Sequence, residues 1–256
     1  MPHPHSISFI IPVYNEEANI RETLHTALAV FPRVCPEFEL IVVESGSTDN
    51  SLAIIREEAE KNANIVVCHQ ERKEGMGSAL REGYRLSTKA WVCHLEADLP
   101  FEFENVAAAV AYFDGCDFVR GVRIGENGRP DGWIYSRGLL KTIVRIGFHR
   151  GYNIFVRLLF GVSVPDINFS FKLIRSEIVK KLDLRTNGWF IDTELVLELI
   201  KARARFREIP IQYRVRHKGR SSVTAVSPLP IMQEAVRYRL SRWKNSGYLQ
   251  VPEGIP

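Results

Sequence analysis

Hydrophobic residues in the first hundred positions fall into four short runs. The runs cover residues 7–13, 39–43, 65–68 and 91–95, and β-branched side chains are frequent in them. Apolar runs of this length, with few polar interruptions, are typical of strands that are covered on both faces. The pattern therefore predicts four interior strands of one sheet.

The segments between these runs have the periodicity of amphipathic helices. In the first segment, Ile20, Leu24, Leu28 and Phe31 fall on one helical face, and Asn15 is predicted to cap the helix start. Two later segments also begin at turn-forming or capping residues: Asp49 precedes a helix through Ile54, Ile55 and Glu58, and Gly75 and Gly77 precede one with Leu80 and Tyr84. Strands that alternate with helices predict an α/β fold with a mostly parallel sheet flanked by helices.

The second half of the chain has a less regular pattern. Residues 121–138 are rich in Gly and Arg and are predicted to form an ordered or gated loop. Residues 139–164 are apolar but interrupted by basic side chains, which favours helices that lie beside a site or on a membrane. A late strand is predicted at residues 206–210 and a helix at residues 228–244.

Charge is unevenly distributed along the chain. The net charge of +4 is modest and is not typical of a nucleic-acid-binding protein, so we expect no nucleic-acid partner. Residues 203–244, however, contain eleven Arg and Lys residues and only two Glu residues. This basic region favours an anionic partner, which is a phosphate group, a lipid head group or an anionic membrane surface.

Cysteine spacing and the extent of the apolar runs bear on location. The four cysteines lack the short spacings of zinc or redox motifs, which favours a reducing compartment. The first residues contain no apolar signal core, and no stretch reaches the roughly 18 apolar residues of a membrane span. We therefore expect a cytoplasmic protein whose membrane binding is peripheral and on the inner face.

Two acidic residues follow the fourth apolar run directly. Glu96 and Asp98 lie one residue apart at the end of a predicted strand, and α/β sheets bind ligands at the carboxyl ends of their strands. Two carboxylates in this position can share a divalent cation that also contacts a diphosphate. For the pair taken alone, an acidic surface turn is the alternative interpretation.

Three motifs in the first hundred residues resemble the family-two glycosyltransferases. Ile10-Ile-Pro-Val-Tyr-Asn-Glu-Glu17 is similar to the opening motif of that family, and Val42-Val-Glu-Ser-Gly-Ser-Thr-Asp49 is similar to its second motif, usually Asp-Asp-Gly-Ser. Glu96-Ala-Asp-Leu99 is similar to its Asp-x-Asp metal motif. Because order and spacing agree as well, the combination is highly specific.

Later motifs resemble the dolichol-phosphate mannosyltransferase branch of that family. They lie at residues 121–123, 136–138, 166–172, 188–194, 208–211 and 216–221, so the resemblance covers about residues 7–223. It implies the nucleotide-diphospho-sugar transferase (GT-A, Rossmann-like) fold. It also implies that a hexose of the mannose or glucose type moves, with inversion, from GDP-mannose or a UDP-sugar to a polyprenyl or dolichyl phosphate. The implied cofactor is Mg2+ or Mn2+.

The resemblance also implies a domain organisation. Residues 1–225 are expected to form the catalytic domain, with a donor-binding half at about 7–120 and an acceptor half at about 121–225. Residues 226–256 are expected to form a basic amphipathic helix and a tail.

Residue roles on the donor side follow from the same resemblance. Pro12, Tyr14 and Glu16 are expected to surround the nucleotide base and ribose, although a strand end and a first helical turn would also explain them. Glu44 is expected to contact the base or ribose, with Ser45 beside it. As metal ligands, the resemblance implies Asp98 with assistance from Glu96.

On the acceptor side, the expected residues are mainly basic. The arginines proposed for phosphate contacts are Arg123, Arg137, Arg216 and Arg220, because a guanidinium matches phosphate oxygens; Ser136 can take the place of Arg137 in the alignment. Asp166 corresponds to an aspartate of the acceptor region. Asp192 and Glu194 are candidate bases, or simply the start of a helix.

Several residues depart from the family pattern. Glu44-Ser45 stands where two aspartates are usual, Glu96 stands where the first metal-motif aspartate is usual, and Pro100 replaces a polar residue. A glutamate keeps the charge but reaches one methylene further. Two alternatives therefore stay open: a glycosyltransferase that acts on a saccharide hydroxyl, and a catalytically silent homologue that binds nucleotide sugars.

Overall fold

A computed structural model describes residues 5–98, 102–124, 139–212 and 228–242, with the backbone alone for residues 139–146 and 228. Within these residues the chain forms one seven-stranded sheet with helices on both faces, which confirms the α/β class. The strands are β1 Ile7–Val13, β2 Phe38–Ser45, β3 Ile65–Gln70, β4 Trp91–His94, β5 Phe118–Ile124, β6 Lys172–Arg175 and β7 Phe206–Gln212. The helices are α1 Ile20–Val34, α2 Ser51–Lys61, α3 Met76–Leu86, α4 Asn105–Val110, α5 Leu139–Phe160, α6 Ser176–Val179, α7 Ile191–Lys201 and α8 Pro228–Arg242.

The sheet is mostly parallel, as expected. Its strand order is β3-β2-β1-β4-β6-β5-β7. The first four strands pair in parallel, β5 and β7 form a second parallel pair, and β6 joins the two groups antiparallel to both neighbours. From β1, the chain order proceeds to β2 and β3 on one side and to β4 on the other. The carboxyl ends of β1 and β4 therefore form the switch point at which open α/β sheets bind ligands.

Both faces of the central strands are covered. The ring of Phe9 in β1 stacks on Phe31 of α1, with centroids 3.7 Å apart. Ile10 faces the opposite layer, where α3 approaches so closely that a Cβ on Gly83 would lie 2.3 Å from the Ile10 side chain. This two-sided burial explains why the run at residues 7–13 is apolar without alternation, and why it was predicted correctly.

The predicted start of the first helix is wrong. α1 begins at Ile20, and Asn19 precedes it. Asn15 has a φ of 55°, in the left-handed region, and so lies outside the helix. Its side-chain oxygen accepts a hydrogen bond from the Thr48 backbone N–H at 2.8 Å, so Asn15 joins two loops instead of capping a helix.

In the second half, the predicted loop at residues 121–138 is wrong at its start. Residues 121–124 belong to β5, which pairs with β7 along its whole length; residues 125–138 lie outside the described residues. Strands β5 and β6 were not predicted as elements, and helix α7 was predicted only as the alternative interpretation of Asp192 and Glu194. Strand β7 and helix α8 were predicted. No helix of the described segments is both long and apolar enough to cross a bilayer.

Helix α8 packs against α5, α7 and the segment that leads into α7. The Glu234 carboxylate accepts hydrogen bonds from the backbone N–H groups of Gly188 and Phe190, at 3.0 and 3.3 Å. The Tyr238 hydroxyl donates to Glu198 of α7 at 2.5 Å. Tyr238 also packs with Phe190 in a separate hydrophobic cluster formed by α5, α7 and α8. The C-terminal helix therefore supports the segment that leads into α7.

Candidate active site

The loops after β1 and β2 are fastened together by polar groups. The backbone N–H of Asn15 donates to the Ser47 hydroxyl at 2.9 Å, and that of Glu17 donates to Asp49 at 3.1 Å. The other Asp49 oxygen accepts from the Ser51 N–H at 2.9 Å, as expected for a residue at the start of α2. Although burial opposes its ionisation, these hydrogen bonds outweigh that effect and lower the pKa of Asp49.

The residues predicted to surround the base and ribose lie at the end of β1 and in the loop that follows it. Pro12, Tyr14 and Glu16 are all half-buried. The Lys73 ammonium, in the loop after β3, lies 3.8 Å from the centroid of the Tyr14 ring. The carboxyl ends of β1, β2 and β3 thus present an aromatic face and a cation beside the switch point.

Glu44 and Ser45 end β2, but neither has an unengaged polar group. The Glu44 side chain is 0% exposed. Its carboxylate accepts from the Ser47 backbone N–H at 2.5 Å and lies 2.6 Å from Nδ1 of His69. Ser45 points to the other face and donates to Gln70 at 2.8 Å. The expected contact of Glu44 with a base or ribose therefore stays a prediction, and it has to take account of His69.

The acidic pair lies on the other side of β1. Glu96 and Asp98 are half-buried, while Ala97 between them is buried. The Ala97 carbonyl accepts a hydrogen bond from the Thr23 hydroxyl at 2.6 Å, and the Leu95 N–H donates to the Ile10 carbonyl at 2.9 Å. These contacts fix the turn after β4 at the switch point.

The acidic pair suits a hard divalent cation whose remaining ligands come from the substrate. In the described residues, no group of three or more His, Cys, Asp or Glu side chains is placed to hold a metal ion. Mg2+ in phosphate-handling enzymes is usually bound through one or two carboxylates together with substrate phosphates. Glu96 and Asp98 therefore fit a metal ion that is bound jointly with substrate phosphates better than one that is bound by protein ligands alone.

In the acceptor half, the structure brings two predicted residues together. The Asp166 carboxylate accepts hydrogen bonds from the backbone N–H and Nε of Arg123, at 3.0 and 2.8 Å, and also from its Nη2. His149 of α5 lies 3.8 Å from the same carboxylate. Burial opposes ionisation of Asp166, but the Arg123 charge outweighs it and holds the pKa below its ordinary value.

A second buried ion pair joins β6 to α7. Lys172 of β6 donates to Asp192 of α7 at 2.8 Å and to the Phe169 carbonyl. Burial lowers the pKa of Lys172 against the opposing Asp192 charge. Although burial would raise the pKa of Asp192, the Lys172 charge and His94 hold it far below its usual range. His94 is itself buried, 3.6 Å from Asp192, and its ring nitrogens have no hydrogen-bond partner among the described residues.

Glu194 holds the segment that precedes α7. Its carboxylate oxygens accept from the backbone N–H groups of Arg185 and Thr186, at 3.0 and 2.9 Å. Arg242 of α8 lies 3.4 Å from the same carboxylate. Asp192 and Glu194 therefore occupy the first turn of α7, the alternative that the sequence left open for them, and both are fully engaged.

Sequence reasoning missed the buried cation in β5. Arg120 is 1% exposed, and it donates through Nε to Glu208 of β7 at 2.8 Å and through Nη2 to the Pro165 carbonyl. The charged residues of β5 and β6 are Arg120, Arg123, Lys172 and Arg175, and they break the apolar pattern of these short strands. Charges inside otherwise apolar runs were the available sign of these pairs, because a buried charge requires a partner.

The predicted site residues thus form two groups. The donor group lies at the ends of β1, β2 and β4, and the acceptor group joins β5 to the segment before β6. The remaining predictions fall outside the described residues: Pro100, Ser136, Arg137, Arg216 and Arg220.

Most of the chain matches a known protein family. Residues 8–183, about two thirds of the chain, match the glycosyl transferase family 2. The chain belongs to this family. It is accordingly a glycosyltransferase, and the resemblance inferred from its motifs is confirmed.

Relatives of this glycosyltransferase include enzymes of lipid-linked sugars. It is 27% identical to a polyprenol monophosphomannose synthase of Mycolicibacterium smegmatis, over 96% of this chain and 89% of that protein. It is 28% identical to an undecaprenyl-phosphate 4-deoxy-4-formamido-L-arabinose transferase of Edwardsiella ictaluri, over 90% of this chain and 66% of that protein.

Solved structures confirm the fold. Glucosyl-3-phosphoglycerate synthase from Mycobacterium tuberculosis, crystallised with Mn2+, uridine diphosphate and phosphoglyceric acid, superposes with a TM-score of 0.67 at 17% identity. The match covers 95% of this chain and 81% of that one. The seven-stranded sheet is therefore a GT-A sheet.

Proposed function

We propose that this glycosyltransferase moves a hexose, with inversion, from a nucleoside diphosphate sugar to a polyprenyl phosphate. The main support for this proposal is that the acceptor-side carboxylates are buried and already have hydrogen-bond or ion-pair partners. Asp166, Asp192 and Glu194 are all buried and engaged by cations or backbone N–H groups.

Carboxylates in this condition are poor general bases. A base is most effective when its pKa lies near the working pH, and ion pairing lowers the pKa of Asp166 and Asp192 instead. Glu194 has both oxygens occupied by backbone N–H groups. A hydroxyl acceptor needs such a base, whereas these three groups serve as counter-charges and loop ties.

A phosphate acceptor needs no base from the protein. Its second pKa is about 6, so near pH 7 it is largely dianionic and its oxygen can attack the anomeric carbon directly. It needs cations that hold it in line with the leaving group. Arg123 is oriented for that task by Asp166. We assign the same task to Arg137, Arg216 and Arg220.

The donor is proposed to lie along the ends of β4, β1 and β2. Tyr14 and Pro12 would flank the nucleoside, and Glu96 and Asp98 would hold Mg2+ or Mn2+ beside the diphosphate. When bound, the cation neutralises charge that develops on the departing diphosphate. GDP-mannose and a UDP-sugar are the two proposed donors, and the solved structure crystallised with uridine diphosphate supports a nucleotide sugar.

A lipid acceptor requires contact with a membrane, and α5 and α8 present a suitable surface. Leu158 of α5 and Leu240 of α8 are 81% and 79% exposed. Arg239 donates to the Leu159 carbonyl at 2.9 Å, which places these leucines at the same end of the helix pair. α5 contains no acidic residue, and the one in α8, Glu234, is engaged with backbone N–H groups.

We therefore propose peripheral docking on an anionic, cytoplasmic-facing bilayer surface through α5 and α8. Flotation with phosphatidylglycerol vesicles should show binding that weakens with salt. The double change Leu158→Gln and Leu240→Gln should reduce it, whereas Val66→Gln, at an exposed position of β3, should not. Absence of binding by the unaltered protein at low salt contradicts the docking proposal.

The acceptor experiment tests the proposed function. The protein is incubated with labelled donor sugars, Mg2+ or Mn2+, and one of three acceptors: a polyprenyl phosphate, the matching free polyprenol, or a simple saccharide. We expect product from the phosphate alone. Transfer to a saccharide hydroxyl that is abolished by Asp166→Asn or Asp192→Asn would support the hydroxyl alternative, and donor binding without any transfer would support the silent homologue.

A further inference from the structure

The ends of β2 and β3 hold a side-chain pair that no motif of the family predicts. Glu44 and His69 are neighbours in register on the two parallel strands. The glutamate is fully buried, whereas the histidine side chain is 35% exposed. Their closest atoms, Glu44 Oε2 and His69 Nδ1, are 2.6 Å apart.

This contact fixes the state of the imidazole. A carboxylate only accepts hydrogen bonds, so Nδ1 of His69 carries a proton and donates it to Glu44. In the neutral ring, Nε2 is then an acceptor. Among the described residues, Nε2 has no hydrogen-bond partner, and the side chain that carries it is 35% exposed.

The location of the pair suits the base of a donor nucleotide. In the sheet order, β2 is separated from β4 by β1 alone. Adjacent strands are about 4.8 Å apart, so the end of β2 lies roughly 10 Å from the acidic pair that follows β4. A nucleoside diphosphate can bridge this separation. Tyr14, with Lys73 over its ring, lies at the end of β1 between the two.

We propose, on the basis of the proposed function, that His69 reads the donor base, with its tautomer set by Glu44. Nε2 accepts a hydrogen bond from a ring N–H of the base. Uracil and guanine carry such an N–H on the base-pairing edge, whereas cytosine and adenine carry an unprotonated ring nitrogen there. The glutamate that replaces the usual aspartate therefore acts through the histidine and does not itself touch the base.

A similar pair elsewhere provides a control. His25 of α1 lies 2.8 Å from Glu58 of α2, so this pair joins two helices and not two strand ends. This pair shares the chemistry of the first pair but not its location. His25→Phe should leave base selectivity unchanged.

The first test measures binding of UDP, GDP, CDP and ADP by calorimetry in the presence of Mg2+ or Mn2+. The unaltered protein should prefer UDP or GDP. His69→Phe keeps a ring but removes the acceptor, so the affinity for the preferred nucleotide should fall about tenfold, with little change for CDP and ADP. His25→Phe serves as the matched control, and thermal unfolding checks that each variant folds.

Glu44→Gln tests the tautomer itself. The amide oxygen has to accept from the Ser47 N–H, which turns the amide NH2 towards His69. Nδ1 then becomes the acceptor and Nε2 carries the proton. The preference for UDP or GDP over CDP and ADP should fall by about tenfold or more, because Nε2 now donates to an unprotonated ring nitrogen.

Two outcomes overturn the inference in distinguishable ways. If the unaltered protein discriminates among the bases and His69→Phe discriminates equally well, the base is read elsewhere and the proposed function stands. If the unaltered protein binds none of the four nucleotides, the proposed function fails and the inference fails with it.

Discussion

The two halves of the sheet handle charge differently. Around β1, β2 and β4, the candidate site carboxylates lie at or just after the strand ends: Glu44 is buried beside His69, whereas Glu96 and Asp98 are half-buried. Around β5 and β6, charges lie within the strands: Arg120 and Lys172 are each 1% exposed and ion-paired. The first half places two half-buried carboxylates just after a strand end, whereas the second half uses its carboxylates to hold cations in place.

This difference predicts which changes affect chemistry and which affect folding. A carboxylate at a strand end can be replaced at little cost to the core. A partner of a buried ion pair cannot, because its removal leaves an uncompensated buried charge. The predictions below test this distinction.

The largest effect is expected at Asp98. Asp98→Asn should reduce transfer about a hundredfold or more, because the neutral amide supports a divalent cation poorly, while the melting temperature stays nearly unchanged. Transfer kinetics and thermal unfolding measure the two quantities. Asp114→Asn, at an exposed surface position, is the control and should alter neither. Full activity of the Asp98 variant, or activity unaffected by a chelator, would count against a metal role.

In the second half, the expected effect is on stability. Lys172→Met strands the Asp192 carboxylate and should lower the free energy of unfolding by about 3–5 kcal/mol, as measured by urea titration. Adding Asp192→Leu should restore much of the loss, since no lone charge remains. Lys201→Met removes a partly exposed ammonium from Glu198, whose carboxylate keeps the hydrogen bond from the Tyr238 hydroxyl, and should cost less than about 1 kcal/mol. Equal losses for Lys172 and Lys201 would contradict the distinction.

A smaller effect is expected in acid. The lowered pKa of Asp166 means that its contribution to stability is complete above the unfolded value of about 3.9 and is lost as the pH falls through the folded value. Each unit of lowering contributes about 1.4 kcal/mol at neutral pH. Asp166→Asn should therefore be less stable at pH 7 but lose less on acidification. Urea titrations between pH 6 and pH 3 measure the slopes, and parallel slopes would refute this role.

The same contrast explains what the sequence could predict. The runs at β1, β2 and β4 are buried on both faces and the run at β3 is apolar, so their pattern predicted strands, and the motifs at the ends of β1, β2 and β4 predicted the donor group. β5 and β6 were not predicted because Arg120, Arg123, Lys172 and Arg175 break the apolar pattern of these short strands. Arg120 pairs with Glu208 of β7 and Lys172 pairs with Asp192 of α7, and the local sequence does not identify these partners.

Local geometry set a second limit. Asn15 has the composition of a helix cap, but its left-handed backbone and its contact with Thr48 arise from loop packing that no local pattern encodes. Likewise, the motif placed Glu44 at a ligand, whereas its partner, His69, comes from the adjacent strand. Pairing between strands, rather than spacing along the chain, defined these contacts.

The central claim is that the acceptor attacks without a base from the protein, and the pH dependence of kcat/KM for the acceptor tests it most directly. The measurement compares a polyprenyl phosphate with its methylene phosphonate analogue, whose second ionisation occurs at higher pH. If the dianionic acceptor is the nucleophile, activity rises with its second ionisation, near pH 6 for the phosphate, and the midpoint moves to higher pH for the phosphonate. A midpoint that is the same for both acceptors would assign the titrating group to the protein and contradict the account.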